Sequence, residues 1–429
     1  MELPRAKNYF NSEPWFNIPR HTQSLTGKKI AILGGGIAGA SLAYAFKKKG
    51  YSTTIIDQSA KIPNPYSSPE HIIFMPHIIK GESRERRFFL SAWKEFHDLI
   101  NELDKEKAVS GVKTCGVLEL NTDREQNNHK QYSSKLRQVD LKELDANFLN
   151  AEEGTEFANI PIDTDSILYK SAGYLFPKTL CGSMLRESEI LKNIYVASIT
   201  RKNEEWLLHD QRNNIILNAD LLIVASGIHS NNFSQTKWIQ LIEKQGQITY
   251  FPENMGTKKL KCVLSANGQL TPAISGMHAI GASYEDPKQG RYANQFNSES
   301  QIKNLGKTKQ FLGSKKNAWD EGTLVDWIGL RCTTADHLPI VGGIPDYKFY
   351  CQEYDDLHHG RHWKEYNSAS YHNNLFILTG LGSRGFTTAP LAARILVDQI
   401  LDDINPSTKE FLNLLHPARF LIRRFKRNT

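Results

Sequence analysis

Residues 28–57, KKIAILGGGIAGASLAYAFKKKGYSTTIID, constrain the fold of this chain more than any other stretch. Ile30–Leu33 is a short apolar run ending at glycine, the pattern of a parallel strand covered on both faces. Gly34, Gly36 and Gly39 supply a G-x-G-x-x-G spacing. The first glycine permits a tight turn, the second lets backbone approach a pyrophosphate, and the third lets a helix pack against the strand. That helix carries Ala40, Leu42, Ala43 and Phe46 on its packing side and ends at Lys47–Lys49 before Gly50. Its first N–H groups, from Ile37 and Ala38 onward, are placed to meet phosphate. Asp57 ends the second strand, 18 residues after Gly39, where it can accept from a ribose. Spacing alone leaves a second reading open, a glycine-rich turn in some other α/β protein. The flanking strands and the acid favour dinucleotide binding.

The chain has 429 residues, room for two domains with large cores. No run of 18 apolar residues and no apolar N-terminal core occur, so neither a membrane span nor a secretory signal is expected. Cys115, Cys181, Cys262, Cys332 and Cys351 are widely spaced, which suggests neither a zinc site nor a disulfide framework and fits a reducing, cytoplasmic setting. The net charge of +7 permits an anionic partner such as RNA without requiring one. Within residues 419–429, Arg419, Arg423, Arg424, Lys426 and Arg427 interleave with Phe420, Leu421, Ile422 and Phe425. This basic tail reads as the solvated end of a helix, as a phosphate contact, or as a partner or membrane-surface contact.

Residues 1–27 read as an N-terminal arm or linker. The segment 84–103 has helical periodicity through Phe88, Phe89, Trp93, Phe96, Leu99, Ile100 and Leu103, a core stripe rather than a cofactor box. Leu221–Val224 is a buried-strand pattern running into Ala225, Ser226 and Gly227, where small residues let a cofactor pass or simply end the strand. Stretches around QGQITYFP, KCVLSANGQLTPAI and HAIGASYED read as antiparallel strands, with a helix near 298–312. NNLFILTGLGSRGFTTAPLAARILVDQIL then reads as strand, glycine-rich turn and helix. Two such units at opposite ends of the chain argue for an extended FAD rather than a transient nicotinamide. The second offers Gly380, Gly382, Ser383, Arg384, Gly385 and Phe386 as cofactor contacts, beside Ala225 and Gly227. The fold expected is α/β with an α+β second domain. A Rossmann-like FAD-binding domain covers 28–105, 166–235 and 326–418, and an antiparallel-sheet substrate domain covers 106–165 and 236–325. His358, His359 and His362 lie in a polar loop without the carboxylate or thiol that would complete a metal site, so no metal is expected.

The two glycine units, the A-S-G strand end and the returning C-terminal segment together resemble the glycine-oxidase/D-amino-acid-oxidase (DAO) superfamily. GLRCTTADHLPIVGGIPDY and LGSRGFTTAPLAA resemble one branch more closely, the FAD-dependent part of the bifunctional tRNA 5-methylaminomethyl-2-thiouridine biosynthesis enzymes, the MnmC family. PWFNIPRH, GYLFP, GQLTP and HAIGASY support it, so the resemblance runs from about residue 14 to 425. It implies an oxidase that removes a carboxymethyl group, as glyoxylate, from 5-carboxymethylaminomethyl-(2-thio)uridine at the tRNA wobble position, leaving 5-aminomethyl-(2-thio)uridine. It implies tRNA as partner. The 27 residues before the first strand are too few for the methyltransferase of those enzymes, so a separate S-adenosylmethionine-dependent methyltransferase is expected.

Such a substrate ends in a carboxylate, which the planar fork of arginine binds bidentately. Arg331, in G-L-R, stands where the superfamily places its carboxylate-binding arginine; a structural salt bridge is the alternative. Arg384 could contact substrate, flavin or backbone, and Tyr284 could line the pocket or belong to the core. No general base is assigned, because hydride transfer from a neutral amine needs only positioning. One departure stands out. PYSSPEHI at 65–72 replaces a glycine- and asparagine-containing stretch that relatives place near the flavin, with Pro69 and Ile72 at the changed positions. It keeps open a non-catalytic flavoprotein partnered with a methyltransferase. A small secondary-amine or glycine-type oxidase is a further alternative.

Overall fold

The computed structural model describes residues 13–18, 24–64, 68–79, 81–121, 143–287, 296–312, 323–361 and 363–428. They form two compact units, one from Met1–Ile62, Met184–Ile242 and Cys332–Thr429, the other from Pro63–Ser183 and Glu243–Arg331.

The first unit is built on a six-stranded sheet in the order Ile340–Pro345, Tyr371–Thr379, Leu221–Val224, Ile30–Leu33, Thr54–Ile56, Glu189–Leu191. All neighbours are parallel except Ile340–Pro345 with Tyr371–Thr379. The central strand is buried along its whole length, and its alternation explains why. Ala31 and Leu33 join Leu222, Val224, Leu375 and Ile377 in a core with Trp206 and Leu208 of an antiparallel three-stranded ribbon spanning Ser198–Ala219. Ile32 points the other way, toward Gly39 of the helix Ile37–Lys48, which packs on the helix Gly385–Ile400. A strand with helices on one side and a ribbon on the other has no wet face, so both parities of its sequence are apolar.

The second unit holds an eight-stranded sheet, in the order Val325–Thr333, Ile242–Pro252, Met277–Gly281, Gln269–Leu270, Val263–Ser265, Val117–Leu120, Ser166–Tyr169, Ala146–Leu149. One pair, Val263–Ser265 with Val117–Leu120, is parallel; the other registered pairs are antiparallel. Phe311 and Leu312 of the helix Ser298–Leu312 share a core with Phe251, Leu264, Leu270 and Ile280. A smaller sheet joins Ile72–Phe74, Gly173–Leu175 and Val112–Lys113. The helix Arg84–Lys105 starts where Ser83 Oγ accepts from Arg86 N at 3.1 Å. It buries the expected aromatic stripe, with Phe74 centred 5.2 Å from Phe96.

The α/β first unit and mainly antiparallel second match the fold class read from sequence. The unit boundaries differ from the expected ones. Residues 63–105 and 166–183 fall in the second unit, because Ser166–Tyr169 pairs on both sides with strands of the large sheet and Phe74 ties the aromatic helix to the small one. Residues 13–18 do not behave as a linker. Trp15 is fully buried among Tyr350, Tyr354, Leu421 and Ile422, and Tyr350 Oη donates to Trp15 O at 2.6 Å.

The basic tail forms the helix Arg419–Arg427. Arg419 is not available for phosphate. It is buried, and its Nε and Nη2 donate to the two oxygens of Asp336, each at 2.9 Å.

Candidate functional site

In the first unit the three glycines do three different jobs. At Gly34, φ is +108°, and a Cβ would fall 2.5 Å from Ala225 O. The A-S-G strand end is thus what crowds the turn: Ala225 N donates to Leu33 O at 2.8 Å, and its carbonyl leaves no room for a side chain on Gly34. At Gly39 a Cβ would lie 1.9 Å from Gly34 O, so the helix can begin directly on the turn only with glycine there. Gly36 has ordinary dihedrals, φ −72° and ψ −170°, and a Cβ on it would meet no atom of the described residues within 4 Å. No packing among the described residues requires a glycine at this position. An approaching group from outside would.

Asp57 makes contacts within the protein that the motif does not announce. Its Oδ2 accepts from Gly35 N and its Oδ1 from Ser59 N, both at 2.7 Å. The carboxylate therefore braces the glycine turn, and lone pairs remain on both oxygens for a ribose.

The second glycine turn lies alongside the first. Gly380 and Gly382 have φ of +72° and +61°, and a Cβ would lie 2.8 Å from Thr334 Cγ2 on the first and 3.0 Å from Thr333 Oγ1 on the second. A Cβ on Gly385 would fall 3.5 Å from Ile37 Cγ2, so the starts of the helices Ile37–Lys48 and Gly385–Ile400 are neighbours. Neither start has a side-chain cap. The two positive helix ends make one anion-favouring region, with Ile37 and Phe386 half-buried, Ala38 buried, and Ser383 and Arg384 exposed at the turn. Gly227, at φ +58°, is held by Thr379 Oγ1, which donates to its carbonyl at 2.8 Å. Ser226 Oγ is buried without a hydrogen-bond partner among the described residues. Open space at Gly36, two uncapped helix starts and an unpartnered hydroxyl fit a bound dinucleotide.

In the second unit Arg331 lies on the strand Val325–Thr333. Its Nη1 donates to Ser283 O at 3.2 Å, and its guanidinium carbon lies 6.0 Å from the centre of the Tyr284 ring. Burial pulls its pKa below the usual arginine value, with Tyr284 acting in the opposite direction. Among the described residues no carboxylate pairs with it, so the salt bridge kept open above is not formed with any of them. Gly246 was not foreseen. A Cβ there would lie 2.0 Å from Arg331 Nη1, so the guanidinium rests on bare backbone. The available signal was a glycine inside a strand pattern, which marks close approach. Tyr284 is 44% exposed and also lies under Lys244 Nζ, so it is not a core tyrosine.

Residues 65–67 of the departing stretch lie outside the described residues, as does His362. His71, within the stretch, is buried with neither ring nitrogen hydrogen-bonded among the described residues. It sits between the Tyr174, Phe176 and Tyr250 rings. Burial lowers its pKa to about 4.

Residues 29–399 match the family described as DAO, FAD dependent oxidoreductase. The chain is 29% identical over 425 residues to a protein from Pseudoalteromonas atlantica named tRNA 5-methylaminomethyl-2-thiouridine biosynthesis bifunctional protein MnmC; the match covers 93% of this chain and 59% of that one. A protein of the same name from Vibrio vulnificus is 30% identical over 435 residues, covering 96% of this chain and 62% of the relative. Among solved structures, glycine oxidase from Bacillus cereus superposes with a TM-score of 0.68 at 16% identity, over 88% of this chain and 98% of that one. The chain therefore belongs to the DAO family of FAD-dependent oxidoreductases, and FAD is its cofactor.

Proposed function

We propose that this chain oxidises the carboxymethylaminomethyl group of 5-carboxymethylaminomethyl-(2-thio)uridine at the wobble position of tRNA. The observation that carries this reading is Arg331, a buried guanidinium without a carboxylate partner among the described residues, seated over Gly246 in the second unit. A fixed fork of this kind is built to receive a carboxylate, and the carboxymethyl group ends in one. The tRNA part of the reading comes from the names of the curated relatives.

FAD, when bound, accepts a hydride from the methylene next to the amine. Arg331 anchors the carboxylate and so fixes which carbon is presented. Loss of hydride leaves a C=N bond in the substrate. Water adds to it, the C–N bond breaks, and glyoxylate departs while the aminomethyl group stays on the uridine. When FAD is bound, the first turns of the helices Ile37–Lys48 and Gly385–Ile400 would hold its pyrophosphate, Gly36 would give it access, and Asp57 would accept from its ribose. Tyr284 flanks the anchored carboxylate. Arg384 stays a candidate substrate or cofactor contact at the second turn. The methylation that follows is assigned to an S-adenosylmethionine-dependent activity outside these two units.

The test is anaerobic mixing of the flavoprotein with tRNA carrying the modification, followed by nucleoside mass analysis. Conversion to aminomethyluridine with flavin bleaching supports the reading. Bleaching by free glycine or sarcosine alone would replace it with a small-amine oxidase. A flavin that none of them bleaches would point to the non-catalytic role.

A further inference from the structure

The C-terminal helix sorts its cations into two sets. Arg419 is spent on Asp336, and Lys426 Nζ lies 4.7 Å from the centre of the Trp15 ring and 3.4 Å from Glu13 Oε1. Both anchor the helix through its buried face of Phe420, Leu421 and Ile422. Arg423 is half exposed, with Nη2 3.9 Å from Asp336 Oδ2. Arg424 and Arg427 are exposed, and no described carboxylate is hydrogen-bonded to Arg427.

These three arginines are spaced i, i+1 and i+4, so they crowd one side of a nine-residue helix that has no acid in its first turn. Arg427 stands at i+4 from Arg423 and i+3 from Arg424, where like charges repel by roughly 0.2–0.5 kcal/mol per pair, offset only in part by the negative helix end. Beside the stripe is an aromatic platform: Tyr347, 38% exposed, stacks on Trp238 with ring centres 5.7 Å apart, within electrostatic range of Arg424. Arginines that neutralise phosphates next to a ring that accepts a base are the elements of single-stranded RNA recognition.

We propose that Arg423, Arg424 and Arg427, with Tyr347, form an RNA-docking surface on the first unit that grips the sugar–phosphate backbone of the tRNA. This deepens the reading above and rests on it. The surface also gives tRNA affinity to the flavin-binding unit itself, independent of what the base carries.

The experiment measures binding of an unmodified tRNA transcript to the intact flavoprotein across a salt series. Wild type is compared with R424E/R427E, with Tyr347→Ala, and with Lys202→Glu as a charge control on an exposed strand end. The double variant should bind about ten-fold or more weaker at low salt, with the log–log salt slope shallower by roughly two phosphates' worth. Tyr347→Ala should weaken binding and leave the slope alone, and Lys202→Glu should resemble wild type. The flavin spectrum should be unchanged in all. Equal affinity and slope in wild type and R424E/R427E would overturn the surface, as would a wild type that binds no tRNA. The functional reading fails separately, when modified tRNA bound by wild type does not bleach its flavin.

Discussion

Ile37 and Gly385 stand side by side, with Ile37 Cγ2 3.5 Å from where a Cβ on Gly385 would fall. Two strand–turn–helix units from opposite ends of the chain thus bring two uncapped helix starts together. A pyrophosphate placed there would meet aligned N–H groups from both.

The glycines of the first turn should separate folding from cofactor binding. Gly34→Ala puts a methyl 2.5 Å from Ala225 O at φ +108°. It should lower the unfolding free energy of the apoprotein by about 2 kcal/mol or more. Gly36→Ala has open space and ordinary dihedrals, so apoprotein stability should stay within about 0.5 kcal/mol. FAD affinity should nonetheless fall by about ten-fold or more, since a methyl worth roughly 1.4 kcal/mol of lost contact would stand where the proposed pyrophosphate site lies. Urea unfolding and flavin titration read the two effects separately.

Arg331→Lys keeps the charge and removes the fork. The kcat/KM for a carboxylated amine should drop about 10- to 100-fold, from loss of charge-assisted hydrogen bonds worth roughly 1.5–3 kcal/mol. Gly246→Ala, which drives a methyl into the guanidinium, should reproduce that drop with Arg331 intact. Steady-state kinetics matching wild type in both variants would remove Arg331 from the site.

Arg419 and Asp336 form a bidentate pair with the arginine buried. Burial raises the Asp336 carboxyl, but hydrogen bonding and charge from Arg419 outweigh it and hold the pKa below the usual range. Arg419→Ala strands that carboxylate and should cost about 3–5 kcal/mol by urea unfolding. Arg423→Ala, at 3.9 Å and half exposed, should cost under about 1 kcal/mol.

His71 gives a pH signature. Its folded pKa is lowered to about 4 by burial, while the unfolded chain titrates near the ordinary value of 6.5. Between those values the unfolded state binds the extra proton, so stability is full above about 6.5 and declines as pH falls toward 4. His71→Phe should flatten the fall in melting temperature across that window, by at most about 3 kcal/mol equivalent.

What the sequence revealed and concealed follows from range. The glycine spacing, the A-S-G end and the aromatic helix stripe are local patterns, and they appear where local geometry requires them. The motif offers Asp57 as a ribose acceptor, and it gives no hint that the same carboxylate also braces Gly35 and Ser59. Trp15 and Arg419 looked like parts of an arm and a tail. Their partners, Tyr350 and Asp336, lie 335 and 83 residues away, beyond the reach of any periodicity. Arg331 was visible as a residue type in a resembling motif; the bare backbone of Gly246 beneath it was not.

The most direct test of the account is flavin absorbance during anaerobic single turnover with tRNA bearing 5-carboxymethylaminomethyluridine, beside the same tRNA lacking the group and free glycine. The account predicts loss of the oxidised flavin band with the first alone, with one glyoxylate formed per flavin reduced. An oxidised band that persists with modified tRNA while free glycine bleaches it would contradict the account.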